Sequence, residues 1–312
     1  MTLSDRCHIR PFSTPYGPTM TAPLSTIEIV ANGVRFAALA AGPEDGPLAL
    51  CLHGFPDAAP TWRHLLPALA DAGFRAVAPW MRGYAPTEVP ADGRYQIGAI
   101  VADAEAMHER LGADSRAVLI GHDWGAVAAY GIAALEPDRW RRLITAAVPP
   151  SGSIGAGLLS YDQLKRSFYM WLFQTPFAEL AVAADDMAFI DRLWADWSPG
   201  YDATTDLPAV KDALRDPANL GAAIGYYRAT LGTTPHDPAL EREQAALGST
   251  PPQPTLYLHG RNDGCMGADL AEHADALLAP GSRVEMVPGC GHFLHLEKPE
   301  TVNAMIVDWA TA

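Results

Sequence analysis

The segment Val118-Leu119-Ile120-Gly121-His122-Asp123-Trp124-Gly125-Ala126 puts a carboxylate between two glycines, where an apolar run gives way to a small-residue, helix-like stretch. A strand that turns sharply into a helix lifts one side chain above the sheet, and such a corner suits a nucleophile. The lifted residue here is Asp123. Aspartate also caps helices well, so this segment alone leaves nucleophile and N-cap evenly matched. At the end of the buried-looking strand Leu48–His53 stands His53-Gly54-Phe55-Pro56-Asp57, a turn able to aim main-chain N–H groups at the same sheet edge. With the amide of Trp124, it offers two donors to a developing oxyanion. Gly289-Cys290-Gly291-His292-Phe293 delivers an imidazole, and Leu258-His259-Gly260-Arg261-Asn262-Asp263 sets a second carboxylate just past a strand. His295 competes with His292, but His292 is the one that follows the glycines. Asp269 competes with Asp263, yet falls in a helical stretch. His122, beside the nucleophile, is expected to point into the structure.

The elements that carry these segments alternate. Strand-like Ser25–Ala31, Val34–Ala41 and Leu48–His53 precede a helix near Thr61–Ala70, a strand Phe74–Pro79 and a helix Ile97–Leu111. A strand Ala117–Ile120, a helix Ala126–Leu135 and a strand Leu143–Val148 follow. Such alternation predicts a mainly parallel sheet with helices on both faces. At Pro149-Pro150 it stops, and the next hundred or so residues are helical and aromatic-rich. Strands return at Thr255–Leu258 and Val284–Val287, and Pro299–Ala310 closes the chain as a helix. The expected organisation is a sheet core from residues 25–149 and 248–312, a helical insertion over 150–247, and an aperiodic arm over 1–24.

Composition narrows the function classes. Among 312 residues, 49% are hydrophobic and 19% charged, enough to bury a large core. Lys and Arg number 22 against 36 Asp and Glu, a net charge of −14 that disfavours nucleic acid and anionic membrane surfaces as partners. Apolar runs such as Ala126–Leu135 are too short to span a bilayer, and no apolar leader follows Met1, so a soluble, cytoplasmic protein is expected. Cys7, Cys51, Cys265 and Cys290 form no CxxC pair, and no GxGxxG, GxxxxGK[ST] or HExxH occurs. Neither a disulfide framework, a metal nor an organic cofactor is therefore expected. Monomer and homodimer both remain open.

The segments HGFPD at His53, RGY at Arg82, GHDWG at Gly121, HGRND at His259 and GCGHFLHLEKPE at Gly289 resemble the α/β-hydrolase superfamily in its epoxide hydrolase and dehalogenase branch. The resemblance runs from Thr26 to Ala312. It implies an α/β-hydrolase fold, with a mostly parallel eight-stranded sheet flanked by helices and an inserted helical cap domain. It also implies Asp123 as nucleophile, His292 as general base, Asp263 as its orienting carboxylate, and Phe55 and Trp124 as oxyanion-hole donors. Ser167-Phe168-Tyr169-Met170-Trp171-Leu172-Phe173-Gln174 is similar to a cap segment of epoxide hydrolases in which a tyrosine precedes a Phe-Gln pair, and Tyr169 falls on that tyrosine. Ile224-Gly225-Tyr226-Tyr227-Arg228 resembles the second such segment, with Tyr227 as ring-opening donor and Tyr226 as its rival. Aromatic core packing is the plainer role for either tyrosine. Phe55, Trp124 and Trp171 are expected to line the substrate site.

A carboxylate nucleophile attacks saturated carbon and leaves an alkyl ester of itself, which activated water then hydrolyses. Two phenols suit the oxygen of an opening epoxide. The expected activity is thus hydrolysis of a small apolar epoxide to a vicinal diol, a reaction on an ether bond. Haloalkane dehalogenases resemble the chain at Trp124 but usually carry Asn where Phe55 stands, and haloacetate dehalogenases usually carry arginines where Trp124 and Val127 stand. A non-catalytic binding module of the same fold is a further alternative, weakened because every catalytic role has a candidate.

Overall fold

A computed structural model describes residues 22–312, together with a two-residue strand at Arg10–Pro11. Apart from that strand and residues 22–24, the arm expected over residues 1–24 lies outside the described residues. The strands are β1 (Arg10–Pro11), β2 (Ser25–Ala31), β3 (Val34–Ala41), β4 (Leu48–Leu52), β5 (Arg75–Pro79), β6 (Ala117–His122), β7 (Trp140–Ala146), β8 (Thr255–Gly260) and β9 (Arg283–Val287). They form one sheet in the order β1-β2-β3-β5-β4-β6-β7-β8-β9. Pairs from β5–β4 to β8–β9 are parallel; β1–β2, β2–β3 and β3–β5 are antiparallel. The eight strands β2–β9 make the mostly parallel sheet expected, and β1 extends its edge.

Every residue of β4, β6 and β8 is buried, as strands covered on both faces must be. The covering helices are α1 (Leu65–Asp71), α2 (Ile97–Arg110), α3 (Trp124–Leu135), α11 (Leu294–Glu297) and α12 (Pro299–Thr311). The helix anticipated near Thr61–Ala70 is split into a 3-10 turn, Ala59–Trp62, and α1. Pro67 then falls in the first turn of α1, where no intrahelical N–H is required of it. Between β7 and β8 come α4 (Ser151–Gly157), α5 (Tyr161–Arg166), α6 (Phe168–Leu172), α7 (Ala178–Trp197), α8 (Leu207–Leu214), α9 (Pro217–Leu231) and α10 (Glu241–Ala245). Asp185, Asp186 and Met187 interrupt α7 with left-handed backbone, at φ of 49°, 54° and 61°. No described helix is long and apolar enough to cross a membrane.

Because β4, β6, β8 and β9 are parallel, their C-terminal ends share one edge, and the chemical segments all begin there. The helical insertion is fastened to that edge by main-chain acceptors. Trp194 Nε1 donates to the Pro56 carbonyl at 2.8 Å, the Trp197 carbonyl accepts the N–H of His292 at 3.0 Å, and the Tyr226 hydroxyl donates to the Arg82 carbonyl at 2.8 Å. Trp194 also stacks on Phe293 with ring centres 3.6 Å apart. The RGY segment is structural: Arg82, wholly buried, pairs with Asp103 at 2.6 Å and so holds β5's exit against α2.

Candidate active site

Asp123 sits between β6 and α3 at φ 52°, ψ −118°, outside the ordinary regions for a residue with a Cβ. The strain lies on Asp123 itself. Its flanking glycines answer a different need, since a Cβ on Gly121 would strike the Gly125 carbonyl and one on Gly125 would strike the Leu52 carbonyl. They let α3 descend onto β4 and β6. Asp123 makes no side-chain cap bond to α3. Its Oδ1 instead accepts the Phe55 N–H at 2.8 Å, and the Trp124 N–H adds a weaker pull that favours the charged carboxylate. The alternatives of lifted carboxylate and helix cap are thereby separated in favour of the former.

Asp123 Oδ2 lies 3.8 Å from His292 Nε2, and His292 Nδ1 lies 2.9 Å from Asp263 Oδ2. A carboxylate only accepts, so Nδ1 carries a proton, and in the neutral ring Nε2 presents a lone pair toward Asp123. The other Asp263 oxygen takes the N–H groups of Cys265 (2.7 Å) and Met266 (2.9 Å), which locks that carboxylate in place. Burial alone would lower the pKa of His292, but the charge and hydrogen bond of Asp263, with the charge of Asp123, outweigh it and leave the imidazole raised. Burial raises the Asp123 carboxyl, against the opposing pull of His292 and the Phe55 and Trp124 amides.

The competing residues lie elsewhere. His295 stacks on Trp62 and bonds Thr61 Oγ1 through Nε2 at 2.6 Å, and burial pushes it down to about 3. His122 points beneath the site, its Nε2–H donating to the His292 carbonyl at 3.0 Å. Asp269 is in a 3-10 turn, facing Arg166 at 3.9 Å.

Tyr169 and Tyr227 are both wholly buried, with ring centres 5.6 Å apart. Neither the Tyr227 hydroxyl nor the Trp124 indole N–H has a hydrogen-bond partner among the described residues. Burial holds both phenols well above the ordinary tyrosine range, and the nearby Asp123 charge adds to it. Successive helical residues diverge by about 100°, so only one of Tyr226 and Tyr227 can face the carboxylate. Tyr226 turns away to Arg82, and Tyr227 faces the site.

Trp171 does not line the site. It is 45% exposed and makes no ring contact with the aromatic cluster. On α6 and its C-terminal extension Tyr169 and Phe173 are four apart and share the inner face, which leaves the residue midway between them outside. Phe173 takes the expected place, 5.4 Å from Phe55 and 5.1 Å from Tyr227 by ring centres. The i, i+4 relation to Tyr169 was the signal for it. Cys265 was also missed: its Sγ lies 3.5 Å from the Tyr169 hydroxyl.

Gly54 yields a direct test of this packing. A Cβ there would collide with the Asp123 carboxylate. Gly54→Ala is expected to displace the carboxylate from the Phe55 N–H and to lose turnover by ~100-fold or more, the usual result of misplacing a reacting group. Steady-state kinetics together with a retained circular dichroism spectrum checks this.

Over residues 47–299 the chain matches the family model of the alpha/beta hydrolase fold. The chain belongs to the α/β hydrolase family. It is 31% identical to Epoxide hydrolase 4 of Mus musculus over 293 residues, covering 91% of this chain and 78% of that protein. Epoxide hydrolase A of Mycobacterium tuberculosis is 29% identical over 310 residues, with 90% and 95% covered. The crystal structure of an epoxide hydrolase of Bacillus megaterium with an inhibitor superimposes at a TM-score of 0.78 and 26% identity, covering 91% of this chain and all of that one.

Proposed function

We propose that this α/β hydrolase opens an apolar epoxide to a vicinal diol through an alkyl ester of Asp123. The observation that carries the reading is the pair of buried phenols, Tyr169 and Tyr227, set in an aromatic wall beside a carboxylate that already accepts the Phe55 N–H and faces a histidine–aspartate pair. The epoxide hydrolases among its relatives support it. The insertion over 150–247 acts as the cap that brings the phenols.

Asp123 Oδ2 attacks a ring carbon, the C–O bond breaks, and the leaving oxygen takes a proton from a tyrosine while hydrogen-bonding the other. In the second half, His292 Nε2 removes a proton from water, and the hydroxide adds to the ester carbonyl. The resulting oxyanion lies at Oδ1, between the Phe55 and Trp124 amides. Collapse breaks the ester C–O bond: the departing diol oxygen takes the proton of the added hydroxyl, which restores the Asp123 carboxylate, and the proton held by His292 returns to the tyrosinate. The 3.8 Å between Oδ2 and Nε2 is too long for a good hydrogen bond, which leaves His292 free to serve water rather than the nucleophile. Phe55, Phe173 and Trp124 give the substrate an apolar wall. The Trp124 indole N–H also suits a halide, but with Phe55 on the other side a second side-chain donor is missing.

His292→Gln separates the two halves. After mixing with styrene oxide, the intact chain is expected to gain the mass of one epoxide, mapped to the peptide bearing Asp123, with diol release slowed by ~1,000-fold. Diol formation at the normal rate with no adduct, or halide release from haloalkanes without any diol from epoxides, overturns the reading.

A further inference from the structure

We propose that Asp123, Cys265 and His292 together form a binding site for a thiophilic divalent cation such as Zn2+ or Cd2+, which excludes substrate by occupying the nucleophile. Each residue brings one ligand atom, and the three atoms lie within 4.8 Å of one another, all buried. Tetrahedral zinc with N, O and S ligands places them roughly 3.3–3.6 Å apart, from bond lengths of about 2.0–2.3 Å. The 3.8 Å from Asp123 Oδ2 to His292 Nε2 is already near that spacing.

The independent pointer to a cation is His292 Nε2. It is fully buried, has no hydrogen-bond partner among the described residues, and in the neutral ring presents a lone pair, since Nδ1 donates to Asp263. A histidine whose remote N–H is held by a carboxylate is the arrangement that orients and strengthens a metal-binding imidazole. Asp263 also receives the Cys265 main-chain N–H at 2.7 Å, so one carboxylate holds the His292 ring and the Cys265 backbone.

Charge and softness select the ion. Binding releases the Cys265 thiol proton to solvent, and the thiolate and the Asp123 carboxylate then balance the two positive charges, with no change of oxidation state. Water completes the tetrahedron. A thiolate–imidazole–carboxylate set favours Zn2+ and Cd2+ over Mg2+ and Ca2+, which need oxygen-rich shells. This site goes beyond the hydrolytic reading, since occupancy requires only that the three side chains meet.

Titration of the full chain with Cd2+ tests it without substrate. The expected result is an ultraviolet cadmium–thiolate charge-transfer band that saturates at one ion per chain, disappears with EDTA, and does not form in Cys265→Ala or Cys265→Ser. Alongside, Zn2+ is expected to inhibit epoxide turnover competitively, with the inhibitory concentration raised ~100-fold in either variant, read against its own metal-free rate. No band in the wild-type chain at millimolar Cd2+, or an undiminished band in both variants, overturns the proposal. A chain that shows the band but no diol formation refutes the epoxide reading and leaves the metal site standing.

Discussion

Asp123→Asn is expected to abolish diol formation, by ~10,000-fold or more, and at the same time to make the fold more stable near neutral pH. The loss follows from position. Asp263 is the other carboxylate on the His292 imidazole, but two main-chain amides and His292 hold it away from the substrate side, so it offers no substitute nucleophile. The gain follows from what the native residue withstands. Burial raises the Asp123 carboxyl, so the charged form is disfavoured in the folded state relative to the unfolded chain. A carboxyl with a raised folded pKa weakens the fold fully at pH above that folded pKa; the deficit shrinks as pH falls below it and is gone below the unfolded value. The advantage of asparagine is therefore largest at neutral pH and fades in acid. Asparagine also tolerates positive φ better than most residues and keeps an oxygen for the Phe55 and Trp124 amides. A gain of about 1 kcal/mol is the ordinary scale when a strained functional group is neutralised. Calorimetry at neutral and mildly acidic pH, beside chromatographic assay of the diol, measures both effects. Residual turnover within tenfold of wild type, or a lower Tm at neutral pH, contradicts the role given to this residue.

How much of this was legible beforehand depends on the range of the interactions involved. The corner at Gly121–Gly125 could be read because its glycines, its apolar strand and its helix are neighbours in sequence. The roles of the glycines could not, because the atoms a Cβ would meet include the carbonyl of Leu52, some seventy residues away. The sheet was visible as alternation, yet the β3–β5–β4–β6 order depends on pairing between distant strands. Trp171 was misplaced because an aromatic residue beside a motif looks like part of it, whereas helical spacing puts Tyr169 and Phe173 inward and Trp171 out. Tyr226 and Tyr227 were left as rivals since only the Arg82 carbonyl, which Tyr226 bonds, separates them. The left-handed break at Asp185–Met187 carries no glycine or proline and so left no local mark. Cys265 carries no local mark because the ligand atoms within 4.8 Å of it, on Asp123 and His292, belong to other segments.

Replacing both phenols, Tyr169→Phe with Tyr227→Phe, is expected to reduce epoxide opening by ~1,000-fold or more, while each single change costs about 10–100-fold. One tyrosine can still protonate the leaving oxygen when the other is absent, so the single losses are limited. With neither, an alkoxide must form in an apolar cavity without a donor, and the barrier rises steeply. The two effects are coupled rather than additive, since the rings stand 5.6 Å apart and serve one oxygen. Structure should survive. Tyr227 gives up a hydroxyl that has no hydrogen-bond partner among the described residues, and Tyr169 gives up a weak contact to sulfur, so neither leaves a strong bond broken. Because both phenols are held well above the ordinary range, they stay protonated at neutral pH, and the basic limb of the wild-type profile should lie beyond about 10. The decisive comparison is between substrates. A halide leaves without a proton, so any displacement of halide from a primary haloalkane by Asp123 should be unaffected in the double variant while diol formation collapses. Equal losses on both substrates would instead mean that the two rings act through packing on Phe55 and Phe173, and the proton-donating role would fall.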